Sequence, residues 1–376
     1  MYLKFIILIL ILISKFAYTK EINFHAWGGS SIINNFIKDF SIFLDQKEGI
    51  KLNHIKISDT QTSVNLILEE SKQEKSKIDL IWVNGENFAN LKQNNLLYGP
   101  LNNLDNLNFM DLNDQTLTND FGMKTELYEI PWGRAQFSFL YDSQFISNPP
   151  KDLEELEQFV NNFPGRFTYP KPPNFHGTTF LKQIMYELGF YEIMQANFDY
   201  SNSEHLEALE NLISYLNIIK PNLWANGNRF PKSNTDLIKM LADKQIFIAI
   251  TFNPNEASSQ IKQEILSESI KTYTFKKGSI ANTHFLAIPK YSENINESII
   301  AINYLISPYF QSLKLNPEIW GDPTVLDLSR IDEQDKNLFN YQFSENNLEQ
   351  NKYNSLLEPH ISWTKAIEDK WFQVYN

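Results

Sequence analysis

The chain has 376 residues, 42% hydrophobic and 21% charged, with 33 basic against 45 acidic side chains, a net charge of −12 and no cysteine. That length and balance suit a globular protein of two domains. The acidic excess argues against nucleic acid as a partner, because phosphates are repelled, and the missing thiols exclude disulfides, a lipid-modified cysteine and cysteine-based metal or catalytic sites.

Lys4, the apolar run Phe5 to Ile13 and the small-residue site at Ala17 and Thr19 read as a secretory signal peptide over 1–19, too short to span a membrane. An uncleaved N-terminal anchor is the alternative. Cleavage near Thr19 removes Lys4 and Lys15, leaving 31 basic against 45 acidic residues, a net charge near −14. The mature chain is then expected free in the periplasm, as a monomer.

The segment Ile22 to Phe43 joins a short apolar strand to an amphipathic helix through Trp27, Gly28, Gly29, Ser30 and Ser31. Apolar residues at 32, 33, 36, 37, 40, 43 and 44 have helical spacing with one buried face, and Ser30 or Ser31 can cap it. The paired glycines let backbone N–H groups approach a ligand, or simply make a tight turn. Ile50 to Ile57 alternates as a half-buried strand, Asp59 to Gln73 reads as a helix with Val64, Ile67 and Leu68 inward, and Ile78 to Val83 reads as a central parallel strand running into Asn84, Gly85 and Glu86.

The aromatic Tyr128 to Tyr141, interrupted by Pro131 and Gly133, is expected to be a strand that leaves one domain and enters another. Asp152 to Phe163 is helical, Arg166 to Tyr169 strand-like, and Lys171 to Thr179 a Pro-rich loop before a helix from Phe180 to Leu188. A helix follows over Glu204 to Ile219, with Leu206, Leu209, Ile213 and Leu216 inward. Ser233 to Asp243 is a short helix, Ile246 to Phe252 a central strand, and Asn253 to Glu256 a third strand-to-helix junction. A strand ends at Pro289, helices cover Glu293 to Ile306 and Tyr309 to Leu315, and a turn follows at Trp320 to Thr324. The last segment places Trp363, Ile367 and Trp371 near one helical face, and Ile331 to Tyr353 is either a solvated helix or irregular.

The pieces WGGS, DLIWVNGENF, IPWGRAQFSFLYD, FPGRFTYP, LADKQIFIAITFNPNEAS, KKGSIANTHFLAIP and INYLISPYFQSLKLNPEIWGDPT occur in this order over most of 22–324. Together they resemble the extracytoplasmic solute-binding proteins of ABC importers, in the group that includes binders of iron(III), spermidine, putrescine and thiamine. The resemblance implies an α/β, two-lobed periplasmic binding protein fold of type II, with parallel-type sheets flanked by helices and a hinge between lobes. It also implies a small-molecule solute held in the cleft, and permease and ATPase subunits of an importer as partners. The lobes are expected at 20–133 with 285–320, and at 134–284 with 321–376. Two departures stand out: Asn282 and His284 occupy places where polyamine binders carry Trp and Asp, and the Tyr-Tyr pair of iron binders is missing.

If the polar turns open on one cleft, the contacts come from Trp27, Gly28, Ser30, Asn84, Glu86, Trp132, Arg134, Asn253, Glu256, Asn282, His284, Trp320 and Asp322. Trp27, Trp132 and Trp320 can stack on a ring or a quaternary ammonium, or pack in the core. Glu86, Glu256 and Asp322 can oppose a cation, Arg134 can fork a carboxylate or phosphate, and Ser30 with the helix start can face an anionic group. No metal or cofactor is expected. An exported α/β hydrolase is the competing class, but the sequence has no Walker A loop, dinucleotide fingerprint, GxSxG elbow or HExxH helix. A sensor that feeds a receptor rather than a transporter shares all of these features.

Overall fold

The computed structural model describes residues 20–341, 346–347 and 354–375. The leader at 1–19 and much of the Asn-rich stretch before Tyr353 lie outside the described residues. The expected opening unit forms as β1 (Lys20–Trp27) and α1 (Ser31–Glu48), whose buried face carries Ile33, Phe36, Ile37, Phe40 and Leu44. Gly49 ends α1 with φ 67°, a conformation that favours glycine, and its N–H bonds Asp45. β2 (Ile50–Ile57) pairs parallel with β1 along its whole length, and α2 (Thr60–Glu70), capped by Asp59, leads to β3 (Leu80–Val83), parallel to β1 on the other side. Then come α3 (Glu86–Gln93), β4 (Leu97–Tyr98), α4 (Gln115–Thr118) and the small hairpin β5 (Asn119–Asp120) and β6 (Met123–Lys124).

The aromatic crossing segment is two strands, β7 (Ile130–Gln136) and β8 (Ser138–Asp142). The chain changes sheets at Phe137. After α5 (Leu153–Asn162), the strand-like Arg166 to Tyr169 reduces to a bridge between Phe167 and Ile248. α6 (Phe175–Glu187) starts before the expected Phe180. Asn174 caps it by accepting from the His176 N–H, and Gly177 lets it lie on the Pro170 carbonyl, which a Cβ would meet at 1.8 Å. In α7 (Ser203–Ile219), Leu206 is exposed rather than inward, because His205 takes the inward place of that turn, accepting from the Asp199 N–H beside Trp363. α8 (Asn234–Ala242), β9 (Ile248–Thr251), α9 (Glu256–Lys262) and β10 (Ile270–Tyr273) complete the unit around the second sheet.

The long strand β11 (Ser279–Pro289) returns to the first sheet, followed by α10 (Ile295–Leu305), α11 (Pro308–Leu315), α12 (Glu333–Lys336), β12 (Ser355–Leu356) and α13 (Ser362–Tyr375). The sheets are not simply of parallel type. β11 runs antiparallel to β3, β4 and β7, and the second sheet, in the order β10-β8-β9, is antiparallel throughout. The reason is connectivity: β7 and β11 carry the chain out of and back into the first sheet, so they oppose each other, whereas parallel neighbours need a helical crossover.

The first sheet is covered on one side by α1, α10, α11, Trp132 and Trp320, and on the other by Val64, Ile67, Phe88 and Leu91. A separate core spans Ala135 to Ile280 and takes in Trp363, Ile367 and Trp371. Val325, Leu326, Ile331 and Phe339 pack with the first core, although the sequence division assigned 321–376 to the second lobe. The turn after Trp320 reverses the chain onto α11 and the first sheet before it crosses.

Candidate functional site

The β7/β11 ribbon joins the two cores, and its register sorts the polar residues between two faces. Thr283 pairs with Arg134 and Ala281 with Gln136, whereas Asn282 pairs with Ala135 and His284 with Gly133; the register then shifts at a bulge between His284 and Phe285. Cross-strand neighbours share a face and alternate with the next pair. The contacts agree. On one face Arg134 bonds Asp114 at 2.7 Å and Thr116 at 2.9 Å, and the Thr283 hydroxyl donates to the Thr116 carbonyl at 2.6 Å. On the other face Asn84 donates to Asn282 at 3.0 Å, and His284 Nε2 lies 3.1 Å from Asp322.

That second face holds two buried polar chains. Asn282 reaches Glu358 at 3.4 Å, and Glu358 pairs with Lys182 at 3.2 Å, whose ammonium sits 4.6 Å over the Phe121 ring. In the other chain Asp322 takes His284 on one oxygen and Lys314 on the other at 2.5 Å. Burial works to raise the Asp322 carboxyl, yet Lys314 and His284 hold it below the usual carboxylate range. Burial, partly offset by Asp322, holds Lys314 below the usual lysine range. Gly133 makes this packing possible, since a Cβ there would meet Asp322 Oδ2 at 2.2 Å.

Of the three tryptophans expected to stack on a solute, Trp132 is 0% and Trp320 7% exposed. Trp132 packs edge-on and Trp320 tilted against Trp82 in the first core, while Trp27 is 45% exposed. The strand that carries Trp82 reads as core, which hides that this ring stands 4.9 Å from His284. Gly28 does not offer its N–H to a ligand: it is spent on the Ile57 carbonyl at 3.0 Å. Ser30 stands at the α1 N-terminus with no side-chain cap bond, and Glu86 is exposed at the start of α3.

Asn253 and Glu256 serve the third junction. Asn253 accepts the Asn255 N–H, and Asn255 donates to the Gly321 carbonyl at 2.5 Å, joining α9 to the turn beside Asp322. Glu256 accepts from Thr251 and Gln260, and its buried carboxyl is pushed up, so it is not an open counter-charge. Sequence reasoning missed Lys182, Lys314, Glu358 and Glu368. Burial pushes the Glu368 carboxyl up, and the Glu86 charge adds to this, which places α3 and α13 within electrostatic reach of each other.

Behind the Asn84 to Glu86 junction, Asp120 accepts the Gly85 N–H. Asp120 and Glu129 are both buried, and neither Glu129 oxygen has a partner among the described residues. Burial pushes both carboxyls well above the usual range; Asp120 raises that of Glu129 further, and Glu358 that of Asp120. The folded chain therefore keeps protons that the unfolded chain releases, and stability should fall as pH rises through and above the unfolded carboxylate range. Urea melts between about pH 5 and 8 should show a steeper decline for wild type than for Asp120→Asn/Glu129→Gln. Parallel profiles would remove these carboxyls as its source.

Residues 36–312 match the family described as bacterial extracellular solute-binding protein. The chain belongs to this family. It is similar to Protein YnjB of Escherichia coli (strain K12), 32% identical over 360 residues that cover 94% of this chain and 90% of that protein. Two solved structures share the fold of this solute-binding protein. One is a putative extracellular solute-binding protein from Bordetella parapertussis (TM-score 0.67, 14% identity, 94% of this chain and 98% of that one). The other is the spermidine/putrescine ABC transporter substrate-binding protein PotD from Streptococcus pneumoniae (TM-score 0.66, 15% identity, 94% and 98%). The fold is the two-lobed type II arrangement. Among the described residues no helix is long and apolar enough to cross a membrane. The assignment favours a binding protein over the exported hydrolase weighed from the sequence.

Proposed function

We propose that the Asn282 and His284 face of the ribbon is the floor of a cleft between two lobes, in which this protein captures a small polar organic solute in the periplasm. The solute is passed, by a monomeric protein, to the permease and ATPase subunits of an ABC importer. The observation that carries this is the convergence of Asn84, Asn282, His284 and Asp322 where β3, β7 and β11 meet between two separate cores. The first lobe comprises 20–133 and 285–320, extended to 339 by the packing of Val325 to Phe339; the second comprises 134–284 with 354–375.

Glu86 supplies negative charge, Trp27 an open ring, and the α1 start at Ser30 a place for a polar or anionic group. A solute with a cationic part and a planar or apolar part fits this set, and closure follows because it touches both lobes. Asp322 acts through His284, which it orients. Mass spectrometry of ligand released from natively purified protein identifies the solute. Calorimetry with that compound should show a loss of about tenfold or more for Asn282→Ala and for Glu86→Gln, with folding checked by thermal melts. Wild-type affinity in both folded variants would place the site elsewhere.

A further inference from the structure

The other face of the ribbon opens on a cavity of about 450 Å³, within the range of small-molecule sites. Its walls come from α4, both crossing strands, with Ala135 and Asn282 reaching it through the thickness of the ribbon, the segment 323–329 and Ser355. Arg134, singled out by the sequence as a ligand group, lines this cavity, on the face of the ribbon opposite His284. We propose that the cavity is a second binding site, distinct from the cleft, for an uncharged polyhydroxylated molecule.

Charge balance sets the absence of net charge. Asp114 pairs with Arg134 at 2.7 Å and Asp327 with Arg330 at 3.1 Å, an arginine that Asp111 also takes at 3.0 Å, so each charge lining the wall already has an opposite partner. Hydrogen-bond bookkeeping sets the hydroxyls. Thr116 donates to Asp114, Thr283 to the Thr116 carbonyl, Thr324 to Gln311, Ser329 to Asp327 and Ser355 to Gln136. Each of these protons is committed within the wall, which leaves oxygen lone pairs as the groups on offer. Arg134 is the complement: among the described residues its side chain bonds only Asp114 and Thr116, so N–H donors remain on a half-exposed guanidinium. A wall of acceptors with few donors, the Arg134 guanidinium and the Asn282 amide, is satisfied by alcohols, which donate and accept through the same oxygen. Pro323, Leu326, Leu328 and Ala281 supply the apolar contact for the carbon chain.

Calorimetry of the full chain with sorbitol tests this, with gluconate as the charged counterpart. The expected result is saturable sorbitol binding, at least tenfold weaker in Arg134→Gln and in Ala281→Leu, and weaker gluconate binding. Ala281→Leu fills the cavity without removing a hydrogen bond, so it reports on the site if Arg134→Gln fails to fold. Glu86→Gln, which alters the cleft and lies outside the lining of this cavity, should leave sorbitol binding unchanged. Absence of saturable sorbitol binding, or equal binding in Ala281→Leu, overturns the proposal. Tighter gluconate than sorbitol overturns the charge-balance argument, and loss in Glu86→Gln would mean that sorbitol occupies the cleft.

Discussion

Gly133→Ala should damage stability and binding at once, lowering unfolding free energy by about 3 kcal/mol or more and removing solute affinity together with it. The added Cβ would lie 2.2 Å from Asp322 Oδ2, 2.7 Å from the His284 ring and 3.0 Å from Lys314 Nζ. None of these is the free end of a solvated side chain: Lys314 is fully buried, and Asp322 is held on both oxygens. Something must shift, and the available movement pulls Asp322 away from Lys314, leaving two poorly compensated charges in the core. Breaking a buried pair in this way costs about 3–5 kcal/mol. Urea denaturation measures the loss, and the His284 ring resonances report whether its orientation survives. An alanine variant within about 0.5 kcal/mol of wild type would show that the cluster is loosely held.

Lys182→Met should destabilise on the same scale, about 3–5 kcal/mol, because it strands the Glu358 carboxylate in a site where Asn282 is its other partner. The pairing also steadies Asn282, whose other side-chain bond among the described residues is to Asn84, so affinity for the solute should fall as well. The informative variant is Lys182→Met/Glu358→Leu. With neither charge left in the core, most of the stability should return, since apolar replacements of buried pairs are often neutral or better. Affinity should not return, because Asn282 still lacks its anchor. If the double variant regains both, the ion pair serves packing alone.

Much of the frame was legible because it rests on local pattern. The β1, turn and α1 unit, the apolar run at Ile78 to Val83, and the segment that leaves one sheet for the other all announce themselves by periodicity or its interruption. The site was less legible, for a reason that Lys314 illustrates. A lysine in a short helix reads as a solvated end, and only the return of the chain at Asp322 turns it into a buried charge. Arg134 and Gly133 are adjacent in sequence, yet pleating sends them to opposite sides of the ribbon, and no composition rule marks which side is the cleft. Trp132 and Trp27 look alike as candidates until tertiary packing closes over one of them. The antiparallel return of β11 depends on the chain having visited another sheet, which lies beyond any local window.

The bulge between His284 and Phe285 sets the phase of the ribbon, and that has a bearing on how such a chain can change over time. Residues 281–284 alternate between two surfaces, so losing or gaining a single residue there would transpose them, sending Thr283 toward Asp322 and Asn282 toward Thr116. Both surfaces would be lost in one event, whereas a change of side chain alters one and spares the other. The crossing strands are therefore open to substitution in identity while closed to variation in length, and new ligand preferences can be acquired on either side without disturbing the opposite one.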